Sequence, residues 1–165
     1  MACSIVPLAY LDCPCDLPYP YRFRKDQMVK ALSVRQPFAT FIANKDKWIE
    51  TRSKPTKYRG PVLICASKRI HEGMALVRMN HFLGSAPSQE IVSDKPEDYP
   101  LGHALCMAQL VDCRPMVKTD EEGALCKFYS DRWSWVLANP YKVKPFDVTG
   151  QLGFFNVSAS LIKYW

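Results

Sequence analysis

The chain has 165 residues, a formal net charge of +6 and an apolar fraction of 48%. This length suits one domain with at most a small appendage, and the apolar content excludes an intrinsically disordered chain. The chain lacks a run of about 18 apolar residues, so we expect no membrane span. The moderate positive charge favours anionic partners without identifying them.

The N-terminal stretch differs in composition from the rest of the chain. Four prolines alternate with aromatic residues between positions 7 and 23, a spacing that excludes a helix or a central strand. We therefore expect residues 1–28 to form a Pro/Tyr-rich extension and residues 29–165 to form the domain.

Alternating and continuous apolar runs predict the elements of that domain. We expect strands at 30–34, 48–52, 61–66, 104–111, 133–137 and 152–162. Short helices should begin at Pro37, at residue 70 and at Asp120, and residues 84–100 should form a loop. Pro140 and Pro145 should break the segment after the fifth strand. This order predicts an α+β fold, a small closed or nearly closed β-barrel of about five to six strands with short inserted helices.

The cysteines and histidines do not form a recognisable site. Seven cysteines at irregular spacing, with no signal peptide that we recognise, predict free thiols in a reducing cytoplasm. Cys65 and Cys106 fall in predicted core strands. The three histidines are not grouped with carboxylates, so we expect no metal and no cofactor. Dinucleotide, P-loop and G-x-S-x-G motifs are also missing, which disfavours hydride transfer, phosphoryl transfer and serine hydrolysis.

The segment KWIETR, residues 47–52, concentrates polar chemistry beside core strands. In a strand, residues two apart share a face. Trp48, Glu50 and Arg52 should therefore point one way, with Lys47 turned back over them from the strand entrance. A solvated sheet face is the alternative interpretation of such dense charge.

Further cations, polar groups and rings flank this segment and suit a nucleic-acid ligand. Arginine and lysine bind phosphate or a base edge, and aromatic rings stack on splayed bases. The candidate binding residues are Arg35, Gln36, Lys47, Arg52, Tyr58, Arg59, Ser67, Lys68 and Trp135. Burial in the barrel core is the alternative for the tryptophans, and a loop position is the alternative for Arg59.

Several of these segments together resemble the activating-signal-cointegrator homology (ASCH) domain of the PUA-like superfamily. They are LSVRQPFA at 32–39, the Lys47-x-x-Glu50-x-Arg52 pattern, YRGP at 58–61, GHAL at 102–105, WSWVL at 133–137 and the glycine-bearing segment at 150–157. The family signature is G-x-K-x-x-E-x-R, and this chain has Lys45 at the position of the glycine. The resemblance implies a PUA-like barrel that binds RNA or a modified nucleoside in a basic cleft.

The resemblance also implies an alternative activity. Some relatives hydrolyse N4-acetylcytidine with a lysine, a threonine and a glutamate, and others are described as ribonucleases. Lys47 and Glu50 are the candidate catalytic pair here, although Glu50 stands where such relatives have threonine. An ionised Glu50 favours a charged lysine, so we expect a binding protein rather than a hydrolase. A protein-interaction module, as the family's coactivator name suggests, is the third possibility.

Overall fold

The computed structural model of the chain describes residues 21–70 and 98–165. Most of the predicted extension, nearly all of the helix expected at 70–82 and most of the loop expected at 84–100 lie outside these residues. His71 and His81 lie outside them as well.

Six strands form one mixed sheet. They are β1 (Met28–Gln36), β2 (Ile49–Arg52), β3 (Gly60–Ile70), β4 (His103–Pro115), β5 (Trp133–Asp147) and β6 (Phe154–Ser158). Their order across the sheet is β2-β5-β4-β3-β1-β6. β1 and β3 run parallel, and every other neighbouring pair is antiparallel. The predicted α+β class and strand number are confirmed.

The expected closure of the sheet into a barrel is not found. In the described part of the chain, β2 and β6 are edge strands, and no backbone ladder joins them. β2 has only four residues, all paired with β5, and β6 pairs only with residues 28–32 of β1. The sheet therefore keeps an opening between its two edges, which we call the seam.

Both faces of the sheet are covered by apolar side chains. The inner face carries residues of even number in β1 and β3, such as Leu32 and Ile64, and the helix α1 (Phe38–Asn44) packs on it through Ile42. The outer face carries residues of odd number, such as Ala31 and Leu63, and is covered by Tyr21 and by the segment that follows β6. Alternation along these strands thus buries two separate layers.

The two cysteines predicted for the core are confirmed there. Cys65 and Cys106 are both buried and free. Burial raises the pKa of Cys65 to about 12 and raises the pKa of Cys106 as well, because an apolar surrounding disfavours the thiolate. Burial therefore favours the protonated thiol at both positions.

β5 shows that one local prediction was wrong. The strand is predicted at 133–137, with Pro140 and Pro145 breaking the segment after it, yet β5 continues through both prolines to Asp147. The pairing of β5 with β4 shifts register next to Pro140, and Asn139 has a φ of 49°. Proline is tolerated where a bulge interrupts the ladder, because its missing N–H is not required there.

A short helix, α2 (Glu121–Ala124), follows a single 3-10 turn at Lys118–Asp120. The buried carboxylate of Asp120 fixes this region. It accepts hydrogen bonds from both terminal nitrogens of Arg114, from the backbone N–H of Val117 and from the hydroxyl of Ser134. Ile49 of β2 then packs beneath α2 against Met116 and Ala124. None of the helices in the described residues is long and apolar enough to cross a membrane.

Candidate functional site

Side chains, rather than a backbone ladder, bridge the seam. Pairing between β1 and β6 stops at Leu32, so the next carbonyl of β1, that of Ser33, has no partner from β6. The guanidinium of Arg52 on β2 fills this position, with its Nη2 donating a 2.7 Å hydrogen bond to the Ser33 carbonyl. Arg52 thus ties one edge of the sheet to the strand beside the other edge.

A cluster of aromatic rings lies beside this bridge. Phe154 of β6 and Trp135 of β5 have ring centroids 5.2 Å apart, and Tyr58 meets Phe154 edge-on at 5.3 Å. The ammonium of Lys30 lies 5.4 Å from the Tyr58 ring and 5.7 Å from the Phe154 ring, within range of a cation–π interaction. The seam therefore combines π-faces with cations.

Lys47, Glu50 and Arg52 form a continuous chain of charges. The Lys47 Nζ lies 3.7 Å from Glu50 Oε2, and Glu50 Oε1 lies 3.2 Å from Arg52 Nη2. Glu50 and Arg52 point the same way, as strand alternation predicts. Trp48 does not join them, because β2 begins only at Ile49 and the indole of Trp48 lies against Gly123 of α2.

The ammonium of Lys47 is almost fully enclosed. Only 3% of its side chain is exposed, and its Nζ donates to the carbonyl of Ile49 at 2.6 Å and to the carbonyl of Ala124. Burial lowers the pKa of Lys47, and the neighbouring Glu50 acts in the opposite direction. Lys47 joins the start of β2 to the end of α2, and thereby positions Glu50.

Two arginines at the seam have buried donors left unused. The Nε–H groups of Arg52 and Arg132 are covered and lack hydrogen-bond partners in the described structure. Arg132 reaches the Thr51 carbonyl only through its Nη2, at 3.4 Å. Buried donors are nearly always paired, so each of these two Nε–H groups has unused donor capacity.

Some contributors to the site went unnoticed in the sequence. Lys30 and Phe154 could have been found, because Lys30 shares its face of β1 with the inward-facing Leu32, and Leu32 pairs with Phe154. Arg132 precedes β5 and carries no local signal. Cys126 is also close: burial raises the pKa of its thiol, while Lys47 and Thr51 oppose that effect.

Two of the predicted residues lie at the end of β1. The amide of Gln36 is buried, donates to the Pro100 carbonyl at 2.8 Å and accepts from Thr40. Arg35 is exposed, and the pairing of β1 with β3 shifts register beside it, between Val34 and Gln36. The binding role of Arg35 stays a prediction.

The remaining predicted residues make mainly local contacts. Arg59 is exposed and pairs with Asp112 at 3.3 Å, Ser67 donates to the Arg69 carbonyl at 2.7 Å, and the exposed Lys68 lies against Gly102. The Tyr58 hydroxyl donates to the Pro61 carbonyl at 2.6 Å. In the part of the chain that the structure describes, no contact joins Lys68 to Lys47 or Arg52. The binding roles of these residues remain predictions.

Trp135 lies in the core, as the alternative interpretation of the tryptophans stated. Its ring is buried in the inner layer, and its Nε1–H donates to the Lys54 carbonyl at 3.1 Å. Phe154 and the Arg52 guanidinium, 6.0 Å from the ring, flank it. Trp135 therefore shapes the floor of the seam.

No three His, Cys, Asp or Glu side chains among the described residues are grouped so as to hold a metal ion.

The curated proteins include no match to the chain. Residues 32–147, which contain Lys47, Glu50, Arg52, α1, α2 and five of the six strands in whole or in large part, match the family model of the ASCH domain. Because this match covers more than half of the chain, the protein belongs to the ASCH domain family.

Proposed function

We propose that this protein binds RNA and takes one base, or a modified nucleoside, at the seam. The observation that carries the proposal is the Arg52 guanidinium. Glu50 and the Ser33 carbonyl fix its orientation, its Nε–H donor has no partner within residues 21–70 and 98–165, and a ring lies on one side of it. Arginine held in this way can fork onto a phosphate or a base edge.

The surrounding rings support the same ligand. Phe154 and Tyr58 are partly exposed, and Lys30 lies over both. Unpaired RNA bases are recognised by stacking on aromatic side chains together with hydrogen bonds to their edges. A small apolar ligand would offer no acceptor to the Lys30 ammonium or to the Nε–H of Arg52.

Hydrolysis of RNA or of an acylated nucleoside is the second candidate, and one observation favours it. Burial lowers the pKa of Lys47, as general-base catalysis requires. However, its Nζ is enclosed and already donates to two backbone carbonyls. A substrate would have to displace those contacts, so we favour a positioning role for Lys47.

Binding is tested by fluorescence anisotropy with a labelled single-stranded RNA at low salt. Arg52→Met keeps the aliphatic stem but removes the guanidinium, and we expect the Kd to rise by about tenfold or more, since charge-assisted contacts are worth about 1.5–3 kcal/mol. Arg24→Met is the matched control, because Arg24 is an exposed arginine that pairs with Asp26 and is not among the candidate binding residues. Equal affinities for Arg52→Met and the unaltered protein would refute the proposal.

Catalysis is tested by incubating the protein with RNA and with N4-acetylcytidine, followed by product analysis. We expect no product. A product that disappears with Lys47→Ala, while RNA affinity stays within a few fold, would instead identify Lys47 as a catalytic residue.

A further inference from the structure

A second surface combines cations with exposed rings. Two adjoining depressions share Lys45 and Pro140. We call their union the lysine–tryptophan groove and define it by Lys45, Trp48, Tyr141, Lys142 and Trp165. No acidic residue lines either depression in the described structure. Lys47 lines the depression that holds Trp48, so the groove adjoins the chain of charges that leads to the seam.

The backbone at Lys45 indicates that a cation is placed here at some cost. Lys45 ends α1 with a φ of 74°, in the left-handed region that favours glycine. A glycine would make this turn without strain, but it would not supply the exposed ammonium. Lysine at this position therefore adds a positive charge to the groove, although its backbone conformation favours glycine.

Trp165 has a largely exposed side chain, although the residues before it are paired with β5. Its exposed fraction is 79%, and the ammonium of Lys144 lies 5.7 Å from its ring. The preceding residues pair with β5 through a bridge between Val143 and Tyr164 and through the Lys144 N–H, which donates to the Lys163 carbonyl at 2.7 Å. The ring is thus presented to solvent from an anchored backbone.

Trp165 lies outside the segment that matches the ASCH model. Together with Tyr141, which is 38% exposed, and Trp48, which is 43% exposed, it gives the groove three accessible π-faces between lysines. Stacking surfaces that alternate with cations suit a single strand, because every base has a π-face and every linkage carries a phosphate.

We propose that the lysine–tryptophan groove binds the single-stranded RNA that flanks the base held at the seam. Bases stack on Trp165 and its neighbouring rings, and Lys45 and Lys142 contact the phosphates. This inference rests on the proposed function. It adds that the protein recognises a strand of several nucleotides rather than an isolated nucleoside.

The test compares two labelled RNAs, one of about three nucleotides and one of about twelve, which fall below and within the usual site sizes for single strands. With Trp165→Ala, we expect the Kd of the longer RNA to rise about tenfold and that of the shorter RNA to stay unchanged. Trp165→Phe keeps a ring and should restore most of the affinity. A merely structural role for Trp165 would weaken both RNAs equally.

Lys45→Gly should keep the fold, so a loss of affinity in this variant would report on the groove itself. It removes the cation and relieves the left-handed strain, so its Tm should be no lower than that of the unaltered protein while the longer RNA binds a few fold more weakly. Lys118→Gln is the control, because Lys118 is an exposed lysine outside the groove. Unchanged affinity in both Trp165→Ala and Lys45→Gly would overturn the inference.

Other ligands give distinct results. Inorganic polyphosphate that competes as well as the longer RNA would show a general anion surface and overturn the inference, as would tighter binding of poly-glutamate. Arg52→Met separates the two proposals, since it should weaken both RNAs whereas the groove variants affect only the longer one. If Arg52→Met binds normally and Trp165→Ala does not, the proposed function fails and the groove remains a binding surface. If no RNA binds at low salt, both proposals fail.

Discussion

At the scale of single residues, a buried charge is stable only where its partners are complete. Asp120 has four hydrogen bonds from Arg114, Val117 and Ser134. Burial alone would raise its pKa, but these donors outweigh it and lower the pKa to about 2. Arg52 differs, because its Nε–H has no acceptor among the described residues. Asp120 is therefore fully paired, whereas Arg52 keeps one donor for the ligand that we propose.

Asp120→Asn should lower the free energy of unfolding by about 3 kcal/mol at pH 7, because it leaves Arg114 without its buried partner. Since the folded pKa is below the unfolded value of 3.8, the carboxylate stabilises the fold above pH 4. That contribution, about 2 kcal/mol, is lost as pH falls from about 4 to 2. Urea titrations across this range check both effects.

The control is Asp112→Asn, since Asp112 is a half-exposed acid that also pairs with Arg114, at 3.7 Å. Its loss should cost less than about 1 kcal/mol, as for surface ion pairs in general. Equal losses for the two variants would show that Asp120 is not the specific anchor of this region.

At the scale of elements, strand alternation could be predicted from the sequence and long-range partners could not. The shared side of Glu50 and Arg52 follows from their spacing alone. The burial of Gln36 depends on the Pro100 carbonyl, 64 residues away. The sequence around Gln36 does not predict this hydrogen bond. Likewise, β5 passes through two prolines because of how β4 lies beside it, which local propensity does not report.

Gly123 shows the same dependence on a distant neighbour. Within a helix, alanine normally stabilises by about 1 kcal/mol relative to glycine. A Cβ at Gly123, however, would lie 2.5 Å from Trp48 Nε1 and 2.7 Å from its Cε2. Gly123→Ala should therefore lower the free energy of unfolding, by about 1–3 kcal/mol, and shift the tryptophan fluorescence.

A double-mutant cycle identifies the cause. If the clash with the indole is responsible, Gly123→Ala should cost much less in a Trp48→Ala background, so that the two changes couple by at least about 1 kcal/mol. Additive losses would mean that α2 itself, rather than its contact with Trp48, requires the glycine.

At the scale of the whole molecule, the net charge of +6 can be related to particular surfaces. Cations lie at the seam, as Lys30 and Arg52, and along the lysine–tryptophan groove, as Lys45 and Lys142. The composition could suggest an anionic partner but not where it binds, because that depends on how distant strands and the segment after β6 come together.

These four cations predict the salt dependence of RNA binding. Each phosphate contact on a single strand contributes about 0.7 to the slope of log Kd against log salt concentration. If each of the four meets a phosphate, the slope should be about 3, and Lys45→Gly should lower it by about 0.7. Anisotropy titrations at several salt concentrations measure the slope, and affinity indifferent to salt would contradict phosphate recognition.

The seam also affects how the molecule fluctuates. A closed barrel can admit a ligand between two strands only by breaking a row of backbone hydrogen bonds. Here, among the described residues, the Arg52 bond to the Ser33 carbonyl and the contact between the Trp135 and Phe154 rings span the seam. Neither contact belongs to a strand ladder, so we expect the seam to open locally without loss of strand pairing. Ligand exchange should then be fast and insensitive to mild urea, while amide protons in β3 and β4 remain protected.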